Sequence, residues 1–179
     1  IITSSITNVL NSTISRKSDY VLPTLAGPEI GVASTKAFTS QLVVLSLLSL
    51  FISKYSKTPK SIRYSFYDSL FKIPNQIEKI LNDSLYIKKI ANKLKNAKSI
   101  FYIGRGTMYP LALEGALKLK EITYKHCEGY AGGELKHGPL ALIENNIPVI
   151  ALAPYDKNFK KLLSNIQEIK TRGGKIILI

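Results

Sequence analysis

The fold is decided by the stretch Ser99-Ile-Phe-Tyr-Ile-Gly-Arg-Gly-Thr107 and by the helical pattern that follows it over 110–124. The stretch is a short apolar run that favours a β-strand and ends in a glycine turn. Pro110 suits the first turn of the helix that follows. Two more apolar runs, 147–153 and 176–179, lie on either side of a helix predicted over 157–171. Short apolar runs that alternate with helices predict βαβ units, and therefore an α/β fold with a parallel sheet.

The first third of the chain predicts one long helix. A turn-rich segment, Thr24-Leu-Ala-Gly-Pro-Glu-Ile-Gly31, follows a short apolar segment, and Ser34 or Thr35 offers an N-cap for a helix that runs to about residue 55. Its longest apolar run, 42–52, has eleven residues. A bilayer span needs about 20, so we expect a buried helix and no membrane partner.

The middle of the chain predicts further helices. Residues 56–75 read as a loop with one helix before Pro74, and a second helical stretch covers 76–98. The chain of 179 residues carries a formal net charge of +13, but only four of its 25 cationic residues are arginines. The lysines between 88 and 98 spread around most of a helix, which is poor geometry for following a phosphate backbone. We therefore expect no nucleic-acid partner.

The single cysteine, Cys127, excludes an internal disulfide framework and a cysteine-based zinc cluster. This cysteine usage fits a reducing compartment and predicts a cytoplasmic location. The chain begins with Ile1, has Met108 as its only methionine, and ends inside a predicted strand. We therefore expect it to be a piece of a longer protein.

The helix over 110–124 carries the most chemical information. At 100° per residue, Glu114, Lys118, Glu121 and Lys125 fall within a stripe of roughly 60°. Apolar residues fill most of the remaining circumference, which predicts a helix buried on most sides with its charges lining a cleft. The alternative is a row of surface ion pairs, each worth about 0.2–0.5 kcal/mol.

Two other segments could carry chemistry. Gly132-Gly-Glu-Leu-Lys-His-Gly-Pro139 places His137, which can exchange a proton near neutral pH, among glycines that allow a ligand to approach. The alternative is a loop histidine bonded to a backbone carbonyl. Ser34 lies at a helix start, where amide groups favour an anion such as phosphate, or where its hydroxyl simply caps the helix. His126 and Cys127 lack partners at the spacing that a metal site or a nucleophile needs, so we expect no metal.

These segments together resemble one family. Ala26-Gly-Pro-Glu-Ile-Gly-Val-Ala-Ser-Thr-Lys-Ala-Phe38 is similar to the first sugar-isomerase (SIS) domain of the glucosamine-6-phosphate synthase family. Gly104-Arg-Gly106, Pro110-Leu-Ala-Leu-Glu-Gly-Ala-Leu-Lys-Leu-Lys-Glu121 and Gly132-Gly-Glu-Leu-Lys-His-Gly-Pro-Leu-Ala-Leu-Ile143 are similar to the second. The resemblance covers essentially the whole chain and implies three-layer αβα folds with parallel sheets. It assigns 1–58 to the C-terminal half of the first SIS domain, 59–90 to a helical connector, and 91–179 to the N-terminal and central part of the second.

The resemblance also implies an activity and its residues. The family joins ammonia from glutamine to fructose 6-phosphate and isomerises the imine to glucosamine 6-phosphate, without a metal or redox cofactor. Glu121 matches the glutamate that moves a proton between C1 and C2, while Lys118 and Glu114 match neighbours that orient the open-chain sugar. His137 matches the histidine implicated in ring opening, which in the family reaches the active site of the other subunit. The residues that match sugar-binding positions are Val32 and Ser34.

The resemblance further predicts a glutaminase domain upstream, a homodimer, and no activity for this piece alone. Two other readings stay open. One is a fructosamine-6-phosphate deglycase built from paired SIS domains, which runs in the degradative direction. The other is a non-catalytic SIS module that senses sugar phosphates and has no need of Glu121 as a proton carrier.

Overall fold

The computed structural model describes residues 1–179, which form two compact units, Ile1–Ser84 and Leu85–Ile179. The first unit contains β1 (Ser4–Thr7), α1 (Thr13–Lys17), β2 (Tyr20–Pro23), α2 (Lys36–Ser53) and α3 (Lys60–Asn82). Helix α4 (Ser84–Leu94) begins where the units divide. The second unit continues with β3 (Ser99–Gly104), α5 (Met108–Thr123), β4 (His126–Ala131), β5 (Pro148–Ala151), α6 (Phe159–Thr171) and β6 (Lys175–Leu178). Two 3-10 helices, Gly132–His137 and Pro139–Leu142, lie between β4 and β5.

Both sheets are parallel. In the first unit β1 pairs with β2, and in the second unit the strand order is β4-β3-β5-β6. The chain therefore passes from β3 to β4 at one edge of the sheet, and later returns to place β5 on the opposite side of β3. The carboxyl end of β3 lies at this reversal, the place where open α/β sheets bind ligands. The α/β fold with parallel sheets that the sequence predicts is confirmed.

The second unit has the three-layer arrangement. Alternate strand residues point to opposite faces of a sheet, and here each face has its own core. On one face Ile100 and Cys127 pack with Ala116 of α5 and Leu94 of α4. On the other face the strands pack against α6 and the first 3-10 helix, in a core that includes Phe101, Ile103, Val149, Leu135, Leu162, Ile166 and Ile169.

The predicted end of a helix at Pro74 is wrong, because α3 runs through this residue. A proline inside a helix removes one hydrogen bond and crowds the preceding turn. The apolar face nevertheless continues on both sides of it, since Leu70, Ile73 and Ile77 all line one groove with residues of α2. We attribute the continuity of α3 to this shared apolar face.

The predicted burial of α2 is also wrong within this chain, where none of its residues is buried. The sheet of its unit has only two strands and covers little of the helix. Leu42, Val43 and Leu47 instead line a groove of about 930 Å³. By length and composition alone, α2 could cross a membrane, a property that core helices of soluble proteins share. The absence of a membrane partner stays a prediction.

Candidate functional site

Three charged side chains form a row along α5, which we call the charged row (Glu114, Lys118 and Glu121). The Lys118 Nζ lies 3.0 Å from the Glu121 Oε2 and 3.3 Å from the Glu114 Oε1. The side chains are 21–31% exposed. One ammonium group thus bridges two carboxylates on successive turns, in a partly desolvated setting.

The position of the charged row follows from the helical period. Ala112 and Ala116 of α5 are buried, and at 100° per residue the charged row lies on the opposite side of the helix. The pKa of Lys118 is raised, chiefly by its hydrogen bond to Glu121 and further by Glu114. Lys118 therefore keeps its charge at neutral pH and can donate hydrogen bonds to a bound molecule.

Two details of the predicted stripe are wrong. Lys125 does not join the charged row, because α5 ends at Thr123 and Tyr124 turns the chain with a φ of 57°. Its ammonium instead donates to the carbonyl oxygens of Lys95 and Ala97, at 2.9 and 2.7 Å. Nor is α5 buried on most sides in this chain. Leu113 and Leu117 are each 43% exposed, since only the alanine face of the helix meets the sheet.

His137 ends the first 3-10 helix and pairs with a carboxylate rather than with a backbone carbonyl. Its Nδ1 lies 2.7 Å from the Glu134 Oε2, and both side chains are mostly exposed. Because a carboxylate accepts hydrogen bonds, Nδ1 carries the hydrogen in this pair. The Nε2 atom is then the one that can take or give a proton.

Cys127 packs in the core, whereas His126 is exposed and lies beside Glu128. Cys127 is fully buried and burial raises the pKa of its thiol, which makes it a poor nucleophile. The His126 Nε2 lies 3.4 Å from a Glu128 oxygen, and Tyr130 donates a hydrogen bond to the other oxygen of that carboxylate. No cluster of three or more His, Cys, Asp or Glu side chains could hold a metal ion.

In the first unit, Glu29 caps α2. Thr35 is the N-cap residue but makes no capping bond with its own side chain. The Glu29 carboxylate accepts hydrogen bonds from the Thr35 N–H at 3.1 Å, the Thr35 hydroxyl at 3.3 Å and the Ala37 N–H at 3.0 Å. These bonds, led by the one from the Thr35 N–H, lower the pKa of Glu29. The sequence predicts Ser34 or Thr35 as the N-cap, and Thr35 is confirmed in that position. The capping hydrogen bonds come from Glu29 and not from the predicted residue's own side chain, which is a correction.

The residues around this cap leave the predicted sugar-binding positions accessible. Val32 is 92% exposed and Ser34 is half-buried. The neighbouring turn is held by Asn8, at the carboxyl end of β1. Its side chain accepts from the Thr24 hydroxyl and the Ala26 N–H, and donates to a backbone carbonyl. A loop anchored on both sides thus presents Val32 and Ser34.

Sequence reasoning missed four polar residues. Asn8 and Glu29 shape these loops of the first unit. In the second unit the Arg105 guanidinium, just after β3, donates a hydrogen bond to the Asn165 side chain of α6. Glu29 carries a weak local signal, since an acidic residue near a helix start interacts favourably with its free amide groups. Asn8 and Asn165 carry none, because their partners come from other elements. Arg105 was visible only as part of a glycine turn.

Comparisons with known proteins identify relatives of the whole chain. The SIS domain family matches residues 2–50 and 93–179. The glutamine–fructose-6-phosphate aminotransferase [isomerizing] of Bradyrhizobium diazoefficiens is 53% identical over 178 residues, which are 99% of this chain and 29% of that protein. The protein with the same name from Bartonella henselae is 52% identical over 178 residues, with the same coverage. The chain thus spans less than a third of the length of these curated relatives.

A solved structure agrees with these relatives. The C-terminal domain of glucosamine-fructose-6-phosphate aminotransferase from Francisella tularensis superposes with a TM-score of 0.94 at 45% identity. The match covers 98% of this chain and 50% of that one.

Proposed function

The chain belongs to the SIS domain family, and on that premise we propose that it is the isomerase region of a glutamine–fructose-6-phosphate aminotransferase. The proposed reaction converts fructose 6-phosphate and ammonia derived from glutamine to glucosamine 6-phosphate, for amino-sugar synthesis. The observation that supports it most directly is the charged row, in a chain 53% identical to an enzyme of that name.

In the proposed reaction the C2 carbonyl of the open-chain sugar condenses with ammonia to an imine and releases water. Glu121 then takes a proton from C1 while the imine nitrogen gains one, which gives an enolamine. Glu121 returns its proton to C2 while the C1 hydroxyl loses its proton and C1 becomes the aldehyde carbon. A single carboxylate can serve both carbons because they are adjacent.

The neighbours of Glu121 have supporting roles in this proposal. The Lys118 ammonium lies between the two carboxylates and offsets their mutual repulsion. It also donates a hydrogen bond to an oxygen of the sugar. Glu114 fixes the position of Lys118 from the other side. The Nε2 atom of His137 moves the proton that opens the sugar ring, and Val32 and Ser34 contact the sugar.

We also propose the setting in which this region works. A glutaminase domain in the same longer chain supplies the ammonia, and two copies of the chain pair in the cytoplasm. The reaction uses sugar phosphate as its only partner besides ammonia. It needs no metal, redox cofactor, nucleic acid or membrane.

A chimera tests the proposed function. The 178 matched residues of the Bradyrhizobium diazoefficiens protein are replaced by those of this chain, and glucosamine 6-phosphate formation from fructose 6-phosphate and glutamine is measured. We expect activity, and we expect Glu121→Gln to lower kcat by about 100- to 10,000-fold because the proton carrier is lost. Glu144→Gln is the matched control, since Glu144 is exposed and lies outside α5.

Two outcomes would contradict the proposal. Full isomerisation by the Glu121→Gln chimera would favour the sugar-phosphate-sensing reading. Release of an amine from fructosamine 6-phosphate, without formation of glucosamine 6-phosphate, would favour the deglycase.

A further inference from the structure

Arg105, the first residue after β3, has an unusual partner for an arginine. Its Nη1 donates to the Asn165 Oδ1 at 2.8 Å. Asn165 lies on α6 and is only 7% exposed. None of the ion pairs of the chain includes Arg105. The contact is therefore a hydrogen bond from a charged donor to a neutral amide oxygen, and not an ion pair.

The same two side chains occupy the space that a Cβ on Gly132 would need, and Arg105 also lies beside Gly133. A Cβ on Gly133 would lie 3.4 Å from the Arg105 Nη2, and a Cβ on Gly132 would lie 3.0 Å from the Arg105 Cγ and 2.9 Å from the Asn165 Oδ1. Neither glycine has a positive φ. Gly132 is therefore required for close approach to the Arg105–Asn165 pair, and not for an unusual backbone conformation, whereas a Cβ on Gly133 would make only ordinary contact.

Gly132 and Gly133 begin the 3-10 helix that ends at His137. Two further contacts hold this helix to the rest of the second unit. Leu135 is 1% exposed and belongs to the core that includes α6, and the Lys136 Nζ lies 3.1 Å from the Glu168 Oε1. The contacts of Leu135 and Lys136 fix the middle and end of the helix. The Arg105–Asn165 pair lies at its start, beside the Leu162 side chain and next to Ala131, which pairs with Gly104 in the sheet.

We infer that Arg105 and Asn165 are positioning residues that fix the helix 132–137 and so set the placement of His137. The effect on the reaction rests on the proposed function of His137. The mechanical part of the inference, that the pair fixes the helix 132–137, does not. Without this pair the two glycines would have more freedom to rotate, because glycine has the widest range of backbone angles. The 3-10 helix could then turn about the buried Leu135, and the imidazole would move with it.

The mechanical part is tested by hydrogen exchange on the full 179-residue chain, which requires no activity. Arg105→Gln is compared with Arg172→Gln, which removes the same charge from an exposed residue. We expect amides of 132–138 to exchange at least about tenfold faster in Arg105→Gln, with the amides of β5 unchanged. Unchanged exchange in 132–138 would overturn the inference. Equal acceleration in β5 would also overturn it, because Arg105 would then act only on the stability of the whole unit.

The functional part is tested in the chimera by separating kcat from KM. We expect Arg105→Gln and Asn165→Leu each to lower kcat about tenfold or more, with KM changed less than about twofold, because a misplaced group slows the reaction more than binding. The double variant should be no worse than the more severe single one, since the pair acts as a unit. Additive losses, or a change confined to KM, would overturn the positioning role. If Glu121→Gln left the kcat of the chimera unchanged, the proposed function would be refuted. The hydrogen-exchange result on 132–138 would still test the mechanical part by itself.

Discussion

Gly129 offers a sharp test of how the charged row is placed, because it lies in β4 beneath α5. A Cβ at this residue would lie 2.8 Å from both the Ala112 carbonyl oxygen and the Leu113 amide nitrogen. Both atoms belong to the backbone of α5, so no side-chain rotation can relieve the clash. Gly129 has no positive φ, so an alanine is conformationally allowed and the effect of Gly129→Ala is steric.

The size of the effect follows from these distances. Ordinary contact begins near 3.4 Å, so α5 must move away from the sheet by about 0.6 Å. Overpacking of this kind costs about 1–3 kcal/mol of unfolding free energy. For a unit of this size that corresponds to a fall in Tm of roughly 5–20 °C. Because α5 carries the charged row, we also expect the kcat of the chimera to fall about tenfold.

Thermal unfolding followed by circular dichroism measures the first effect. Gly133→Ala is the matched control, because its Cβ would meet only the end of the Arg105 side chain, at 3.4–3.6 Å. If Gly129→Ala and Gly133→Ala unfolded at the same temperature, close packing of α5 on β4 could not be what places the charged row.

Three further predictions each concern one titratable side chain. The pKa of Glu29 is lowered by the amide groups that it caps, so its stabilising effect is present above its unfolded pKa and is lost as the pH falls through the lower folded value. Glu29→Gln should remove this acid dependence of hydrogen exchange in the first turn of α2, and an unchanged pH profile would contradict the cap. Lys118→Met should lower the kcat of the chimera about 100-fold, whereas exposed Lys120→Met should not; equal effects would argue against the bridging role. Burial, and then its bond to Glu128, raise the pKa of Tyr130 to about 12. The difference between the ultraviolet titrations of the wild type and of Tyr130→Phe should show one phenol that ionises near this raised pKa. Glu128→Gln should lower the pKa of Tyr130 only in part, because burial remains. A difference spectrum that titrates near pH 10 would refute the raised pKa.

The parts of the fold that depend on local pattern were predictable from the sequence. The strand–glycine–helix stretch from Ser99 gave β3 and α5, and the helical period placed Glu114, Lys118 and Glu121 on one side of α5. The later strands and α6 also lie where their apolar runs predict. Each of these features depends on residues within a few positions of each other.

Elements without a local signal were missed. Strand β4 was missed because His126, Glu128 and Gly129 make it polar and glycine-containing, and only its pairing with β3 makes it a strand. Strand β1 was also missed, because it has only four residues and three of them are polar. Helix α3 continues through Pro74 because of the apolar face that it shares with α2. A rule about proline alone cannot predict this, since the contact is with another helix.

The sequence by itself determined the parallel α/β fold, the family, and the order of charges along α5, since periodicity and motifs are properties of neighbouring residues. Only the tertiary structure decided which distant groups meet. Arg105 and Asn165 are 60 positions apart, and Lys125 reaches the carbonyl groups of Lys95 and Ala97. Such contacts depend on the path of the chain between the partners, and side-chain types alone do not specify that path.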